Sequence, residues 1–182
     1  MSLELRRLTV DHTDLLVQAT ALNQANVPEV GPVDQSKMAS LVAMSWVSLA
    51  VVDTAHEQAL AGFCIVMEPD APYTSVNYRW FADRYDDFVY LDRVAVDSNH
   101  RRRGLGSLLY REVERLGASR SWFTLEVNIV PPNQPSLDFH HRLGFVEVGQ
   151  QDTGSYPEYG VEHVRVSLLA KPLTPGDGRA GI

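Results

Sequence analysis

An apolar run at residues 88–96 is followed, at residues 99–107, by Asn-His-Arg-Arg-Arg-Gly-Leu-Gly-Ser, after which apolar residues recur at helical spacing. This junction constrains the fold more than any other stretch, because it requires a strand to turn sharply into a helix. Gly104 and Gly106 allow the main chain to approach an anion closely. A helix beginning at Leu105 aims unpaired N–H groups and the positive end of its dipole at that anion. Arg101, Arg102 and Arg103 add a local positive charge to a chain whose formal charge is -7. Two readings fit the segment: a cradle for the pyrophosphate of a phosphorylated cofactor, or a tight basic turn capping an ordinary helix.

The rest of the chain supplies the frame. Residues 5–9 read as a short strand and residues 11–23 as a helix with Leu15, Leu16, Ala19 and Leu22 on its apolar stripe. Pro28, Gly31 and Pro32 mark residues 23–33 as a loop of fixed geometry. Asp34 caps a second helix to Met44, with Met38, Leu41 and Val42 facing inward. Residues 46–53 and 59–67 then form a hairpin. An aromatic-rich polar segment, residues 68–87, precedes the strand at 88–96, the helix at 105–117 and a strand at 122–130. Pro135 fits the first turn of a short helix that runs to Leu143 and stops at Gly144. Residues 145–148 are extended, and 161–169 form the last strand. This order predicts an α/β (α+β) fold: a mixed, mostly antiparallel twisted sheet with helices on both faces. The expected boundaries are one domain over 1–171 and a flexible tail over 172–182.

Composition excludes several classes. With 182 residues, 45% of them apolar, the chain can bury one substantial core. A pI near 5.3 with no long basic stripe argues against a nucleic-acid partner. Cys64 is the only cysteine and lies in an apolar run, so it reads as a buried thiol. The longest nearly apolar stretch, residues 41–52, is too short for a bilayer, and the first residues lack a signal-peptide core. The expectation is a cytoplasmic protein with no membrane partner. The histidines show no metal-ligand spacing with carboxylates, so no metal is expected. A homodimer through the late strand and tail is an open possibility.

Val94-Ala95-Val96 followed by Arg101 through Gly106 resembles the acetyl-coenzyme-A-binding signature of the GNAT (GCN5-related) N-acetyltransferase superfamily, with Arg101, Gly104 and Gly106 at its fixed positions. Asn133, Ser136, Phe139 and Leu143-Gly144-Phe145 resemble that family's second cofactor segment. The order of elements agrees over residues 3–170. The resemblance implies acetyl-CoA as cosubstrate, an amine acceptor, and direct attack on the thioester in a ternary complex without an acyl-enzyme. It also implies a splayed V between the strands at 88–96 and 122–130. There, backbone groups of Val94 and Val96 would meet pantetheine, and N–H groups of Arg101 through Gly106, Leu105 included, the phosphates, with Ser107 also among the cofactor-binding residues. The side chains of Arg102 and Arg103 either meet the ribose phosphate or face solvent.

Direct attack needs a proton acceptor, since an alkylammonium has no free lone pair. Strand alternation puts Phe88, Tyr90, Asp92, Val94 and Val96 on one face, and Thr124, Glu126 and Asn128 together on the next strand. Glu126 is a carboxylate in an otherwise apolar strand, and burial would raise its pKa toward useful base strength. Asp92 is the second candidate. The alternative is that such a carboxylate fixes a loop or an arginine such as Arg93. Relatives place a tyrosine where this chain has His140, so His140 is the candidate proton donor to the thiolate, with Tyr90, Tyr156 and Tyr159 as rival phenols. Residues 23–33 and 73–87 are expected to set acceptor specificity, with a small or amino-acid-like amine preferred. Two alternatives stay open: a protein or peptide N-acetyltransferase, and a non-catalytic acyl-CoA-binding domain.

Overall fold

A computed structural model describes residues 2–56 and 58–173. They form a seven-stranded sheet in the order β1 (Leu3–Arg7), β2 (Val47–Asp53), β3 (Ala59–Met67), β4 (Phe88–Val96), β5 (Trp122–Val130), β7 (Val161–Pro172) and β6 (Val146–Tyr156). Every neighbouring pair is antiparallel except β4 and β5, which are parallel. Helices α1 (Thr13–Gln24), α2 (Gln35–Met44) and α3 (Val76–Ala82) cover one face, and α4 (Leu105–Leu116) and α5 (Gln134–Arg142) the other. This is the mixed, mostly antiparallel sheet that the sequence order implies.

The central strands are buried on both faces, which is why β2 and β3 read as continuous apolar runs. Ala50, Phe63, Ile65 and Phe88 pack with Leu16, Met38 and Leu41 of α1 and α2. Leu49, Cys64, Val66 and Leu91 pack with Leu105, Leu109 and Val113 of α4. Full burial of each large apolar side chain contributes about 1.5–3 kcal/mol. Asp34 caps α2 as read, accepting from the Lys37 N–H at 2.7 Å.

Four features differ from the sequence reading. Residues 68–87 contain α3, a seven-residue helix capped by Ser75, with Tyr78 and Phe81 turned into the core. β6 continues from Val146 to Tyr156 although Gln150 to Ser155 are all polar or glycine, because an edge strand needs apolar residues on neither face. β7 extends through Pro172, and Leu173 is buried with its N–H on the Ser121 carbonyl at 2.9 Å. The rest of the expected tail, residues 174–182, lies outside the described residues. Finally, alternation along β4 breaks. Arg93 pairs with Ile65 but Leu91 with Val66, which leaves Asp92 as an extra residue in a β-bulge. Val94 and Val96 therefore pack with the α4 core, whereas Phe88, Tyr90 and Ala95 belong to the α1 side.

Candidate active site

β4 and β5 pair only from Phe88 with Trp122 to Leu91 with Leu125. Beyond that point β3 holds the β4 arm through Val96, and β7 holds the β5 arm to Val130. The two strands part as the family resemblance implies. A cleft of about 740 Å³ fills the gap, within the usual range for ligand sites. From Asp92 onward the β4 main chain facing the gap has no strand partner, so its N–H and C=O groups are available to an extended ligand.

One end of the cleft is the basic turn. Gly104 has φ +81°, and an added Cβ there meets nothing within 4 Å, so the requirement for glycine is conformational. The first bond of α4 runs from Leu108 N–H to the Gly104 carbonyl at 2.9 Å, so the N–H groups of Leu105, Gly106 and Ser107 precede the helical ladder. Gly104, the N-cap, has no side chain with which to cap them. At Gly106 a Cβ would stand 3.2 Å from the Phe139 ring, so the two cofactor-like segments touch here. Asn133 caps α5, its side chain accepting from the Ser136 N–H at 3.2 Å. Val94, Ala95, Val96, Arg101 and Arg102 line the cleft, as do the residues from Gly104 to Ser107 and Asn133, Ser136 and Phe139; Arg103 does not. The Arg101 guanidinium donates to Asn26 Oδ1 at 2.7 Å and, through Nε, to the Val96 carbonyl at 3.4 Å.

Glu126 sits where the strands part. Its carboxylate accepts from Asn77 Nδ2 at 3.0 Å and from the Tyr90 hydroxyl at 2.7 Å, and it keeps some exposure only because it lines the cleft. Burial, reinforced by the Asp92 charge, pushes its pKa up to about 8, while those two donors pull it down. Arg93 is not its partner. Asp92 takes that role: Oδ2 accepts from Arg93 Nε at 2.8 Å, and Oδ1 accepts from the Tyr73 hydroxyl at 2.5 Å. Both Asp92 oxygens are committed to fixing neighbours.

The loop between α1 and α2 straps one side of the cleft. Arg93 donates to Asn23 Oδ1 at 2.8 Å and to the Gly31 carbonyl at 3.2 Å. Asn128 of β5 donates to the Pro28 carbonyl at 2.8 Å, and Gln24 donates to the Tyr159 hydroxyl at 2.9 Å. Both arms of the V, the basic turn through Arg101, and the β6–β7 turn therefore hold the strap.

His140 is buried and its pKa is driven down to about 4 by desolvation. The Ser136 carbonyl can only accept, so the 2.7 Å contact places the proton on Nδ1. Nε2 then accepts from the Tyr110 hydroxyl at 2.5 Å. His140 lines the cleft as a neutral ring with both nitrogens engaged. Tyr110 also lines it and was missed by the sequence reading, since its place on the apolar stripe of α4 marks it only as core. Asn77 was likewise missed, hidden in the unrecognised α3.

Among the described residues no group of three or more His, Cys, Asp or Glu could hold a metal ion, and no helix is long and apolar enough to cross a membrane. The cleft runs from the N-terminus of α4 along the unpaired β4 edge to Glu126, across a parted parallel strand pair. Residues 27–145, well over half of the chain, match the model of the Acetyltransferase (GNAT) family, and the chain belongs to that family. No curated protein sequence matches significantly. Among solved structures, the chain is similar to the ribosomal-protein-S18-alanine N-acetyltransferase of Escherichia coli (TM-score 0.69, 16% identity, 100% of both chains). It is also similar to Arabidopsis thaliana NAA60 with a bisubstrate analogue (TM-score 0.71, 20% identity, 94% of this chain and 98% of that one). A third similar structure is the phosphinothricin acetyltransferase of Sinorhizobium meliloti with AcCoA (TM-score 0.67, 15% identity, 100% and 94%).

Proposed function

We propose that this protein transfers the acetyl group of acetyl-CoA to the primary amine of a small or amino-acid-like acceptor by direct attack in a ternary complex. The observation that carries this reading is Glu126, a half-buried carboxylate held at the point where β4 and β5 part, at the far end of a cleft that begins at the N-terminus of α4. The residues present fit the cosubstrate. N–H groups of Leu105, Gly106 and Ser107 would hold its diphosphate, and the free β4 edge near Val94 and Val96 its pantetheine amides. Bound there, it supplies the activated acetyl thioester.

Glu126 accepts the amine's proton. Its pKa of about 8 is matched to an α-amino group, near 7.7–8.0, far better than to a lysine-like amine near 10.4, so transfer needs no large uphill step. The pinned strap further favours a compact acceptor over one needing a long open groove. The Tyr110 hydroxyl, which also lines the cleft, gives its one proton to His140 Nε2, so neither side chain of that pair holds a proton free for the sulfur. Among the similar structures, the printed names include both a ribosomal-protein alanine acetyltransferase and a phosphinothricin acetyltransferase, so fold alone does not choose the acceptor.

The test is thiol release from acetyl-CoA across a panel of amino acids, amino-acid amides, alkylamines and peptides. The expected result is acceleration by compact α-amines. Tight acetyl-CoA binding with no acceptor-dependent release would favour a binding domain instead.

A further inference from the structure

Glu126 is held by a chain of amides that crosses three elements. Gln151 on β6 donates from Nε2 to Asn77 Oδ1 at 2.6 Å, and Asn77 on α3 donates from Nδ2 to Glu126 Oε1 on β5 at 3.0 Å. We propose that Asn77 and Gln151 are positioning residues for the acetyl transfer: Gln151 fixes the Asn77 amide so that it can only donate to Glu126, which keeps that carboxylate ionisable and aimed at the incoming amine. The proposal rests on the reading of Glu126 as proton acceptor.

With Glu126 ionised and Gln151 turned as it is, the Asn77 amide has one orientation. Turning the Asn77 amide by half a revolution would set its carbonyl against a carboxylate and its amino group against the Gln151 amino group, two repulsive contacts in place of two bonds. The docking of α3 on β6 is equally specific. Trp80 lies so close to Gly149 that an added Cβ would fall 2.7 Å from its ring, so α3 sits directly on the strand that carries Gln151. With the Tyr90 hydroxyl on Oε2, each Glu126 oxygen receives one donor, and donors to a carboxylate favour its ionised form. Asn77 is buried and Gln151 half-buried. The loss of either bond would therefore not be made good fully by solvent.

The titratable and charged groups that act on the same site are Tyr90, Asp92 and Arg93 of β4, Tyr73 ahead of α3, Tyr110 of α4 and Tyr156 of β6. Glu29 on the strap lines the same cleft. Both proposed residues are uncharged, so they can tune Glu126 without changing the site's charge.

The test measures Glu126 directly, by carbon NMR of labelled glutamate in the full chain assigned against Glu126→Gln, alongside pH profiles of kcat and KM. Asn77→Leu is expected to raise the Glu126 midpoint by about one pH unit, tenfold in proton affinity, and to move the kcat limb equally. KM for acetyl-CoA should change by no more than about twofold. Gln151→Glu provides an acceptor for the Asn77 amino group, turns the Asn77 carbonyl toward Glu126, and is expected to raise the midpoint at least as far. In Asn77→Leu/Gln151→Glu that excess shrinks to the effect of the added charge alone. Because Gln151 lies on an edge strand, its variant keeps the test open if Asn77→Leu does not fold. A Glu126 midpoint unmoved by Gln151→Glu, and by Asn77→Leu where that variant folds, overturns the role of the pair and leaves Glu126 as base. Glu126→Gln at wild-type kcat overturns the base reading, and the catalytic sense of the pair with it.

Discussion

Replacing Gly104 separates backbone conformation from bulk at the phosphate end of the cleft. Its φ of +81° lies in the left-handed region, and the Cβ of any substitute meets open space. For alanine the whole cost is then the dihedral, about 1–2 kcal/mol. Asparagine tolerates this region better, and β-branched valine worse, so the combined loss should rise in the order Gly104→Asn, Gly104→Ala, Gly104→Val. Where the strain stays in the folded chain, each kcal/mol lowers the unfolding midpoint of a domain this size by about 2–4 °C. Where the turn relaxes to negative φ instead, the N–H groups of residues 105–107 swing away and acetyl-CoA affinity falls, by about 5–30-fold for alanine and more for valine. Thermal unfolding and calorimetric titration with acetyl-CoA, run on all three variants, recover the strain in one measurement or the other. Alanine indistinguishable from wild type in both would refute the argument. Asparagine as harmful as valine would show that bulk, not φ, decides.

Glu126→Gln should lower kcat by about a hundredfold or more with acetyl-CoA affinity retained, and should abolish a wild-type rise in turnover as pH passes about 8. Because the folded pKa of Glu126 is raised, its contribution to stability is full below the ordinary value of 4.5 and is lost as pH rises toward 8, so urea unfolding should find the Gln variant relatively more stable at alkaline pH. His140 has the opposite sign for its own type. Its folded pKa is depressed, so its contribution is full above 6.5 and is lost as pH falls toward 4; unfolding from pH 7 to 4.5 should show this slope in wild type and not in His140→Phe. At neutral pH that variant strands the Tyr110 hydroxyl and should cost about 1–3 kcal/mol. Arg101→Ala removes exposed bonds to Asn26 and to the Val96 carbonyl and should leave stability within about 0.5 kcal/mol, yet it should speed hydrogen exchange across residues 25–31. Unchanged protection there would show that Arg101 does not hold the strap.

What was legible in the sequence is what local chemistry writes. Gly104 and Gly106 after a basic run announce the cradle, Asp34 announces its helix, and Glu126 stands out because nothing else in its strand is charged. What was not legible depends on partners far along the chain. Asn77 and Gln151 are ordinary amides until α3 docks on β6, and no local pattern joins residues separated by 74 positions. His140 looks like a titrating donor until burial and Tyr110 make it a neutral acceptor. The polar run in β6 carries no alternation, since its pairing to β7 is a main-chain matter.

The bulge at Asp92 explains why one strand can serve both the core and the site. Strict alternation would continue the series Val89, Leu91, Arg93 into the apolar core beneath α4. A guanidinium there would be buried without partners, at a cost no packing offsets. One extra residue shifts the phase, so Arg93 instead reaches the α1 side, where Asp92, Asn23 and the Gly31 carbonyl satisfy it. The same shift bends β4 from the end of its pairing with β5, at Leu91, so the place where the charge is accommodated is the place where the cleft opens. Valines 94 and 96 then anchor the far side of the bend in the α4 core and hold the exposed main-chain edge rigid. The Asp-Arg pair in an apolar strand is thus a structural necessity first. It pins the strap through Asn23 and the Gly31 carbonyl, while Glu126 at the parting is held by the neutral donors Asn77 and Tyr90.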